Sequence, residues 1–462
     1  MKFKLLLAVG VLLSATATQA SKVTITEVDT KDMTRAGNPV VKHMFTADPT
    51  ARVINGKLFV FPSTDVIDPD SPAENGFSMP YYHIFSSENL IDWTDHGRQI
   101  DQVNVPWGDK DAYAMWAPCC IEKDGKFYYY FPNKPEEKSK GNFRRVGVAT
   151  ATKPEGPYTI HENFMQRISG IDPNAFIDDD GKAYLYWGGG ANNSLVGARL
   201  QDNMLEIEGE IVRFEGLPSK YKEASFMFKR NGKYYFTFSC SLNGNCDLVY
   251  AVGKKPLGPF KYVDSFMEKW NNCWTNHHSL VEYKGEWILF YHHNDISGKD
   301  KQRSICADYV TFSGKGKIEK VTPTMRGIGI CDATKRMDID RYSTKSAGTA
   351  IGQNKEAKIA NWYISKAKAG EWLTFNKVRF SGAEKSIEVA FSSATAGGTL
   401  EVREGSEKGK VIASIELPTT GSWETYKQAS TAIEYAPNGV KDLYFTFKGN
   451  GQLFNIDWVR FK

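Results

Sequence analysis

Short apolar runs, each interrupted by a glycine turn, recur five times in the first two thirds of the chain. The turn glycines are Gly56, Gly125, Gly181, Gly232 and Gly285, which are spaced 51 to 69 residues apart. Each follows Asn, Asp or Lys and precedes a run rich in Phe, Tyr and Trp. Because glycine supplies the positive φ of a tight turn, each copy predicts a β-hairpin. A hairpin repeated about every 50 residues predicts the blades of a β-propeller.

Polar side chains stand eight or nine positions before these glycines, where the inner strand of each blade should begin. They include Asp48, Trp116, Asp172, Glu223 and His277. Propeller symmetry would bring these positions together around the central channel. Three carboxylates there suit hydrolysis of a glycosidic bond, which needs an ionised carboxylate to activate water and a carboxylic acid to protonate the leaving oxygen. A third carboxylate would raise the pKa of that acid.

The residue composition of the chain changes beyond Asp332, where a polar, linker-like stretch begins. Alternating apolar and polar positions return from Trp362 to Lys462, with at least six short strands and no cluster of carboxylates. We therefore expect an all-β protein: a five-bladed β-propeller over residues 21–335, followed by a β-sandwich (jelly-roll) module over residues 341–462.

Residues 1–20 have the pattern of a secretory signal peptide. Lys2 and Lys4 precede an apolar run from Leu5 to Leu13, and small residues lead to a cleavage site after Ala20. This predicts a periplasmic or secreted protein. No later run is apolar enough to predict a membrane span.

The charge balance and the cysteine content indicate which partners and cross-links to expect. The 58 Lys and Arg residues nearly balance the 54 Asp and Glu residues, so no nucleic-acid partner is expected, and we expect a monomer. Seven cysteines are an odd and unevenly placed set, which favours buried thiols over a disulfide framework, although Cys240 and Cys246 could close a small loop. The triplet Asp178 to Asp180 lacks the spacing of a calcium loop and is interpreted as hairpin-turn chemistry.

The motifs that open the five repeats resemble glycoside hydrolase family 43. They are Ala-Asp-Pro at Asp48, Trp-Ala-Pro at Trp116, Ile-Asp-Pro at Asp172, Lys-Glu-Ala at Glu223 and Asn-His-His-Ser at His277, in the order of that family. The resemblance covers roughly residues 38–329. It implies that Asp48 is the general base, that Asp172 tunes and orients the acid, and that Glu223 is the general acid of an inverting exo-glycosidase.

The same resemblance implies further site residues. Trp116 would shape the terminal sugar pocket, Arg303 would contact substrate, and His277 would hold a Ca²⁺ ion in the channel; no organic cofactor is implied. The C-terminal stretches TGSWETYK and LFNIDWVRF resemble a carbohydrate-binding module of family 6, with Trp423 and Asn455 as candidate ligand contacts.

Three departures from the family patterns are visible. Glu223 is followed by Ala-Ser where the family has Gly-Pro, Asn276 replaces a glycine before His277, and the module lacks an acidic Glu-x-Glu opening. The family acts on β-xylosides, α-L-arabinosides and, in some branches, galactans, so the expected substrate is a plant polysaccharide or oligosaccharide ending in xylose or arabinofuranose. A galactan-directed hydrolase and a non-catalytic sugar-binding propeller remain alternatives.

Overall fold

The structure is a computed structural model that describes residues 23–28, 36–67, 76–136, 144–188, 194–219, 222–242, 245–268, 273–354 and 362–462. The predicted signal peptide lies outside the described residues. Within them the regular secondary structure is β-strand, apart from one short 3₁₀ helix at Gln102–Asn104. No helix in these ranges has the length and apolarity needed to cross a bilayer.

The propeller follows a short N-terminal strand and consists of five antiparallel sheets of consecutive strands. After β1 (Thr24–Thr26), the strands of blade 1 are β2 to β5 (Phe45–Ile54, Lys57–Asp65, Tyr81–Ser87, Thr94–Asp101), and those of blade 2 are β6 to β9 (Cys119–Lys123, Lys126–Asn133, Arg145–Ala151, Thr159–Ile160). Those of blade 3 are β10 to β13 (Ile171–Ile177, Ala183–Gly188, Val196–Leu200, Ile207–Arg213), those of blade 4 are β14 to β17 (Lys222–Arg230, Lys233–Leu242, Asn245–Gly253, Phe260–Met267), and those of blade 5 are β18 to β20 (His278–Tyr283, Glu286–His293, Ser304–Val310).

All five predicted hairpins are present and join the first two strands of each blade. The five turn glycines have φ between 70° and 80°, the left-handed region that favours glycine. Adjacent blades are bonded along their inner strands: the amide of Ala51 donates to Ser279 Oγ at 2.9 Å, and the amide of Met227 donates to Asn174 Oδ1 at 3.0 Å. The inner strands are therefore held in a common register around the channel.

The first and fifth blades are joined by the chain that leads into blade 1. The amide of Val40 donates to the carbonyl of Ile305, and the amide of Thr46 donates to the carbonyl of Arg303. Arg52 connects blade 1 to the next two blades, because its guanidinium donates to the carbonyls of Cys120 in blade 2 and Ala175 in blade 3. These bonds fix the relative positions of the strand starts that carry the site.

The C-terminal module is a sandwich of two sheets. The remaining strands are β21 to β32: Cys331–Asp332, Met337–Asp338, Thr344–Lys345, Ala350–Gln353, Trp362–Lys368, Trp372–Ser381, Ser386–Ser392, Gly398–Glu404, Val411–Leu417, Lys427–Ala432, Asn438–Lys448 and Gln452–Phe461. One sheet has the order β1-β30-β27-β32-β25-β24, with β22 on β32. The other has the order β21-β26-β31-β28-β29, with β23 on β26.

Strand β1 lies on the sandwich, which differs from the predicted start of the propeller at residue 21. Thr24 pairs with Ser430 and Thr26 with Gln428, at the edge of the first sheet. The sandwich core also includes Ala36 and Cys331. The pairing of distant strands could not be read from local patterns, because the short alternation Val23-Thr24-Ile25-Thr26 does not say which strand β1 will join.

Two smaller predictions are confirmed. All seven cysteines are free and buried. The Asp178 to Asp180 stretch forms the turn between β10 and β11, with the amide of Asp178 donating to the carbonyl of Lys182 and with Lys229 Nζ bonded to both Asp178 and Asp179. Ion pairing with a lysine accounts for this acidic cluster without a metal.

Candidate active site

Three of the five inner strands carry a β-bulge where the predicted carboxylates stand. In blade 1, Ala47 pairs with Ser63 and Thr50 with Phe61, so Asp48 and the proline after it are left out of the ladder. The same irregularity leaves out Asp172 in blade 3. A bulge bends the strand and redirects its side chains, which is how these residues leave the sheet and face the pocket.

The bulges also correct the alignment between blades. Asp48, Asp172 and Ala224 occupy the same bulge position, with φ of 51°, 56° and 55°. Glu223 therefore stands one residue earlier than Asp48, although Glu223 and Asp172 are both nine residues before a turn glycine. The reason is the hairpin of blade 3, whose turn is longer: Ile177 pairs with Ala183. Aspartate tolerates the left-handed region, whereas alanine is strained there.

The structure brings six of the eight predicted site residues into one pocket. The pocket is lined by Asp48, Trp116, Asp172, Glu223, His277 and Arg303, together with Phe77, Met79, Ala117, Ile171, Trp274 and Thr275. Its volume of about 140 Å³ is room for roughly ten water-sized groups, which is close to the size of one pentose. A larger cavity of about 910 Å³ opens along blades 2 and 3, between residues 161–167 and 201–207, away from the carboxylates.

Asp48 is held as a carboxylate. Its side chain is buried, accepts a hydrogen bond from Ser63 Oγ at 2.6 Å, and faces Arg303 Nη1 at 3.0 Å. Burial alone would raise the pKa of Asp48, but the Arg303 guanidinium above all, helped by the Ser63 hydroxyl, lowers it to about 2. A group that stays ionised at every working pH can serve as the base of a hydrolysis.

Arg303 is shared by two carboxylates, one of which the sequence did not reveal. Asp65, at the end of β3, accepts hydrogen bonds from the backbone amide, Nε and Nη2 of Arg303 at 2.8, 2.9 and 2.9 Å. Both side chains are almost completely buried. The fork of the guanidinium thus points at Asp65, and its outer edge faces Asp48, so Asp65 sets where Arg303 lies.

His292 is a neutral partner of Asp48 rather than a cation. The backbone amide of Asp48 donates to His292 Nδ1 at 3.1 Å, so that nitrogen carries no proton, and Nε2 can donate to the Thr275 carbonyl at 3.2 Å. Burial, followed by the nearby Arg303 charge, lowers the pKa of His292 well below its usual value. This imidazole therefore orients the bulge that carries Asp48 without adding charge.

Asp172 and Glu223 form a coupled acidic pair. Asp172 is buried, and its Oδ2 accepts the backbone amide of Ala224, the residue after Glu223, at 2.9 Å. Burial raises the pKa of Asp172 well above its ordinary value, and the charges of Glu223 and Asp48 raise it further. The pair therefore keeps a proton at pH values where a solvent-exposed carboxyl group would lose it. Glu223 is the more exposed member and can reach a leaving group.

Two family matches cover nearly all of the described chain. The model of glycosyl hydrolases family 43 matches residues 36–318, and that of the carbohydrate binding module (family 6) matches residues 340–462. The chain belongs to glycosyl hydrolases family 43. It is accordingly a glycoside hydrolase with an appended family 6 module, and the five blades described above are the propeller of that family.

Three relatives show the range of the similarity. Xylosidase/arabinosidase 43A of Humicola insolens is 36% identical over 62% of this chain and 99% of its own length. CoXyl43, a β-xylosidase/α-arabinofuranosidase from a compost microbial metagenome solved with xylotriose in a calcium-free form, is 33% identical over 63% of this chain and 98% of its own, with a TM-score of 0.56. An arabinoxylan arabinofuranohydrolase from Bacillus subtilis, solved with cellotetraose, is 26% identical over 92% and 97%, with a TM-score of 0.54.

The predicted calcium site of the family 43 domain is only weakly supported by its donor set. His277 Nδ1 lies 3.7 Å from Asp48 Oδ1, and burial lowers the pKa of His277 to about 4, so its imidazole is neutral and could ligate a metal. Calcium, however, takes six to eight oxygen ligands. Among the described residues, no three His, Cys, Asp or Glu side chains converge on a metal position. The residues present do not form a protein cage for calcium.

The family 6 module holds the two remaining predicted residues, far along the chain from the pocket. Trp423 is half-buried, with the ammonium of Lys366 5.6 Å from its ring centre. Asn455 is only 2% exposed, and its carboxamide bonds the Lys366 amide, Ser392 Oγ and the Trp423 carbonyl. Asn455 thus differs from the predicted ligand contact: its polar atoms are already bonded, and they support the loop that carries Trp423.

Sequence reasoning missed several residues that line or support the family 43 pocket. Phe77 and Trp274 line it, and Asp65 lies behind Arg303. None of them occupies a repeated blade position, so the register of the hairpins carried no signal for them. A tryptophan three residues before His277 was the one local hint, since aromatic side chains often line sugar pockets.

Proposed function

We propose that this chain is an inverting exo-glycosidase that removes terminal β-D-xylose or α-L-arabinofuranose from xylan, arabinoxylan or their oligosaccharides. The observation that carries this proposal is the pocket, in which the ionised Asp48 faces a proton-holding pair, Asp172 and Glu223. Its small volume suits one terminal sugar unit. The names of the xylosidase and arabinosidase relatives support the choice of substrate.

The roles follow from the charge states. Asp48 accepts a proton from the attacking water while Glu223 donates one to the leaving oxygen, so the two carboxyl groups exchange their protonation states in one displacement. Asp172 keeps the proton of the pair in place. A base with a pKa near 2 is weak in isolation, and Arg303 is the reason for the low value. The N–H groups of its guanidinium are bonded to Asp65, Asp48 and Thr275, so Arg303 acts on the reaction through Asp48.

The test is a hydrolysis panel of nitrophenyl β-xyloside, α-L-arabinofuranoside and β-galactoside. The wild-type enzyme should hydrolyse at least one of the two pentosides, and proton NMR should show the product anomer opposite to that of the substrate. On a xylo-oligosaccharide, whose leaving sugar needs the proton that nitrophenol does not, Glu223→Gln should lose at least about 10³-fold in kcat while its affinity for the oligosaccharide persists. Glu282→Gln, on the exposed surface of β18, serves as the matched control with unchanged kcat.

The panel separates the alternatives. Turnover of the galactoside alone would indicate a galactan-directed hydrolase. Sugar binding without any turnover would indicate a non-catalytic propeller. Retention of anomeric configuration would overturn the inverting mechanism, and undiminished kcat in Glu223→Gln would overturn the assignment of the acid.

The proposal includes calcium at His277 only as a hydrated ion with one imidazole ligand. The calcium-free form in which CoXyl43 was solved supports such a site. Isothermal titration of chelator-treated enzyme with CaCl₂ tests it. Binding that disappears in His277→Ala supports the site, and identical titrations of both proteins reject it.

Export and sugar binding by the module complete the proposal. The leader pattern of residues 1–20 supports a periplasmic or secreted enzyme, which N-terminal sequencing of the exported protein would test, with Ser21 as the expected first residue.

The half-exposed ring of Trp423 supports sugar binding by the family 6 module. Weaker retention of Trp423→Ala on insoluble xylan is the expected result, and equal retention contradicts it.

A further inference from the structure

Trp274 is an exposed aromatic side chain at the mouth of the pocket. It is 53% exposed, although it lines the same pocket as Asp48 and Glu223. The other large hydrophobic side chains that are exposed in the described part of the chain are all aliphatic. An indole left in water beside a polar pocket is an apolar surface that a ligand can cover with a gain in free energy.

The indole of Trp274 is held in place relative to the catalytic groups. It stacks on the buried ring of Phe77, with centroids 6.1 Å apart and planes at 21°, and the Arg303 guanidinium lies 5.0 Å from the Phe77 ring centre. Its backbone amide donates to Asp300 Oδ1 at 3.1 Å. The next residue, Thr275, accepts a hydrogen bond from Arg303 Nη1 at 3.1 Å. An aromatic platform fixed in this way loses little conformational entropy when a ligand covers it.

The place of the platform indicates which part of the substrate it meets. The pocket interior has room for one sugar unit, so a side chain at its exposed mouth meets the unit that protrudes, on the leaving-group side of the scissile bond. A pyranose ring presents a face of C–H groups that packs on an aromatic plane. We propose that Trp274, backed by Phe77, is a specificity-determining residue that stacks on the sugar unit adjoining the scissile bond.

This inference rests on the proposed function and adds a preference to it. The enzyme favours a leaving group that is itself a sugar ring of a xylan chain over a small alcohol. A base that stacks on an aromatic side chain loses about 5- to 150-fold in affinity when that side chain is replaced by alanine. A sugar ring offers a face of similar size, so we expect a change of at least about tenfold in kcat/KM.

The experiment compares leaving groups that differ only in the presence of a ring. The rates of wild type, Trp274→Ala and Trp274→Phe are measured on xylobiose and on methyl β-D-xyloside. If arabinose is the preferred terminal sugar, an arabinose-capped xylo-oligosaccharide and methyl α-L-arabinofuranoside replace these two substrates. Trp274→Ala should lose at least about tenfold in kcat/KM on the oligosaccharide and less than about twofold on the methyl glycoside. Trp274→Phe should recover most of the loss.

Trp372→Ala is the matched control, because Trp372 also stacks on an aromatic ring, that of Tyr444, but lies in the module. It should leave both rates unchanged. Equal losses of Trp274→Ala on both substrates, or no loss on either, would overturn the inference while the proposed function stands. If wild type hydrolyses neither substrate, the proposed function fails. Titration calorimetry with xylobiose and xylose then decides the inference: weaker binding of xylobiose alone by Trp274→Ala supports it, and unchanged binding overturns it.

Discussion

The proton held by Asp172 and Glu223 should set the alkaline limb of the pH–activity profile. Asp172→Asn removes one charge and preserves the local shape. The Asn side chain can still accept the Ala224 amide, which Asp172 accepts at 2.9 Å. Asparagine also tolerates the φ of 56° at this bulge, which alanine would not do without strain. The variant therefore isolates the electrostatic contribution from the structural one.

The size of the effect follows from the proximity of the two carboxyl groups. Asp172 bonds the residue next to Glu223, and its pKa is raised by burial and then by the Glu223 charge. A neighbouring charge shifts the pKa of a carboxyl group by about one to three units, and a like charge shifts it upward. Removing the Asp172 charge should lower the alkaline limb of kcat/KM by that amount. On the alkaline side of the wild-type limb, activity should fall about 10- to 1000-fold, and it should recover as the pH is lowered.

The assay is kcat/KM on xylobiose, or on an arabinose-capped xylo-oligosaccharide, from about pH 4 to about pH 9. Asp178→Asn is the control, since Asp178 lies in the turn at the far end of the same strand, where it pairs with Lys229, and its alkaline limb should not move. A loss in Asp172→Asn that is the same at every pH would refute the reasoning, because orientation alone would then explain it. An upward shift of the limb would refute it as well.

Three further outcomes are expected. Asp65→Ala should destabilise the enzyme by about 3–5 kcal/mol in chemical denaturation, because it leaves the buried Arg303 guanidinium with one carboxylate fewer; a loss below about 1 kcal/mol would contradict this. Because the pKa of Asp48 is lowered from 3.8 to about 2, its contribution of about 2 kcal/mol is present above pH 4 and lost as the pH falls toward 2. The melting-temperature difference between wild type and Asp48→Asn should shrink over that window, and a constant difference would argue against it. Deleting residues 342–462 should lower soluble yield and melting temperature, because the sandwich core includes Cys331 of the preceding segment; an unchanged melting temperature would show that the propeller is independent.

Local patterns sufficed for the blades and for most of the pocket. Asn-Gly and Asp-Gly turns before aromatic runs predict hairpins directly, because the backbone requirement of the turn is met by the residues themselves. Counting back from the glycines placed Asp48 and Asp172 in the pocket. This counting misaligned the blades by one residue. The turn of blade 3 is longer than the others, and counting back from the turn glycines does not show that difference.

Features that depend on contacts between distant segments were beyond that reasoning. Asp65 matters because Arg303 happens to fold against it, and Trp274 because Phe77 supports it. Asn455 looked like a ligand contact by its place in a motif, but the fold uses its carboxamide internally. In each case, the partner lies tens or hundreds of residues away, where no periodicity connects the two positions.

The pairing of β1 with β30 constrains the order in which parts of this protein can fold during synthesis. Glu27, the residue after β1, forms an ion pair with Lys427, a partner 400 residues later in the chain. At about 5–20 residues per second of synthesis, the first strand waits roughly 20 to 80 s for the strand that it joins. The propeller can be assembled during that interval, whereas the sandwich sheet cannot gain its edge until the last part of the chain has emerged. A strand made early in synthesis is thus among the last to find its place.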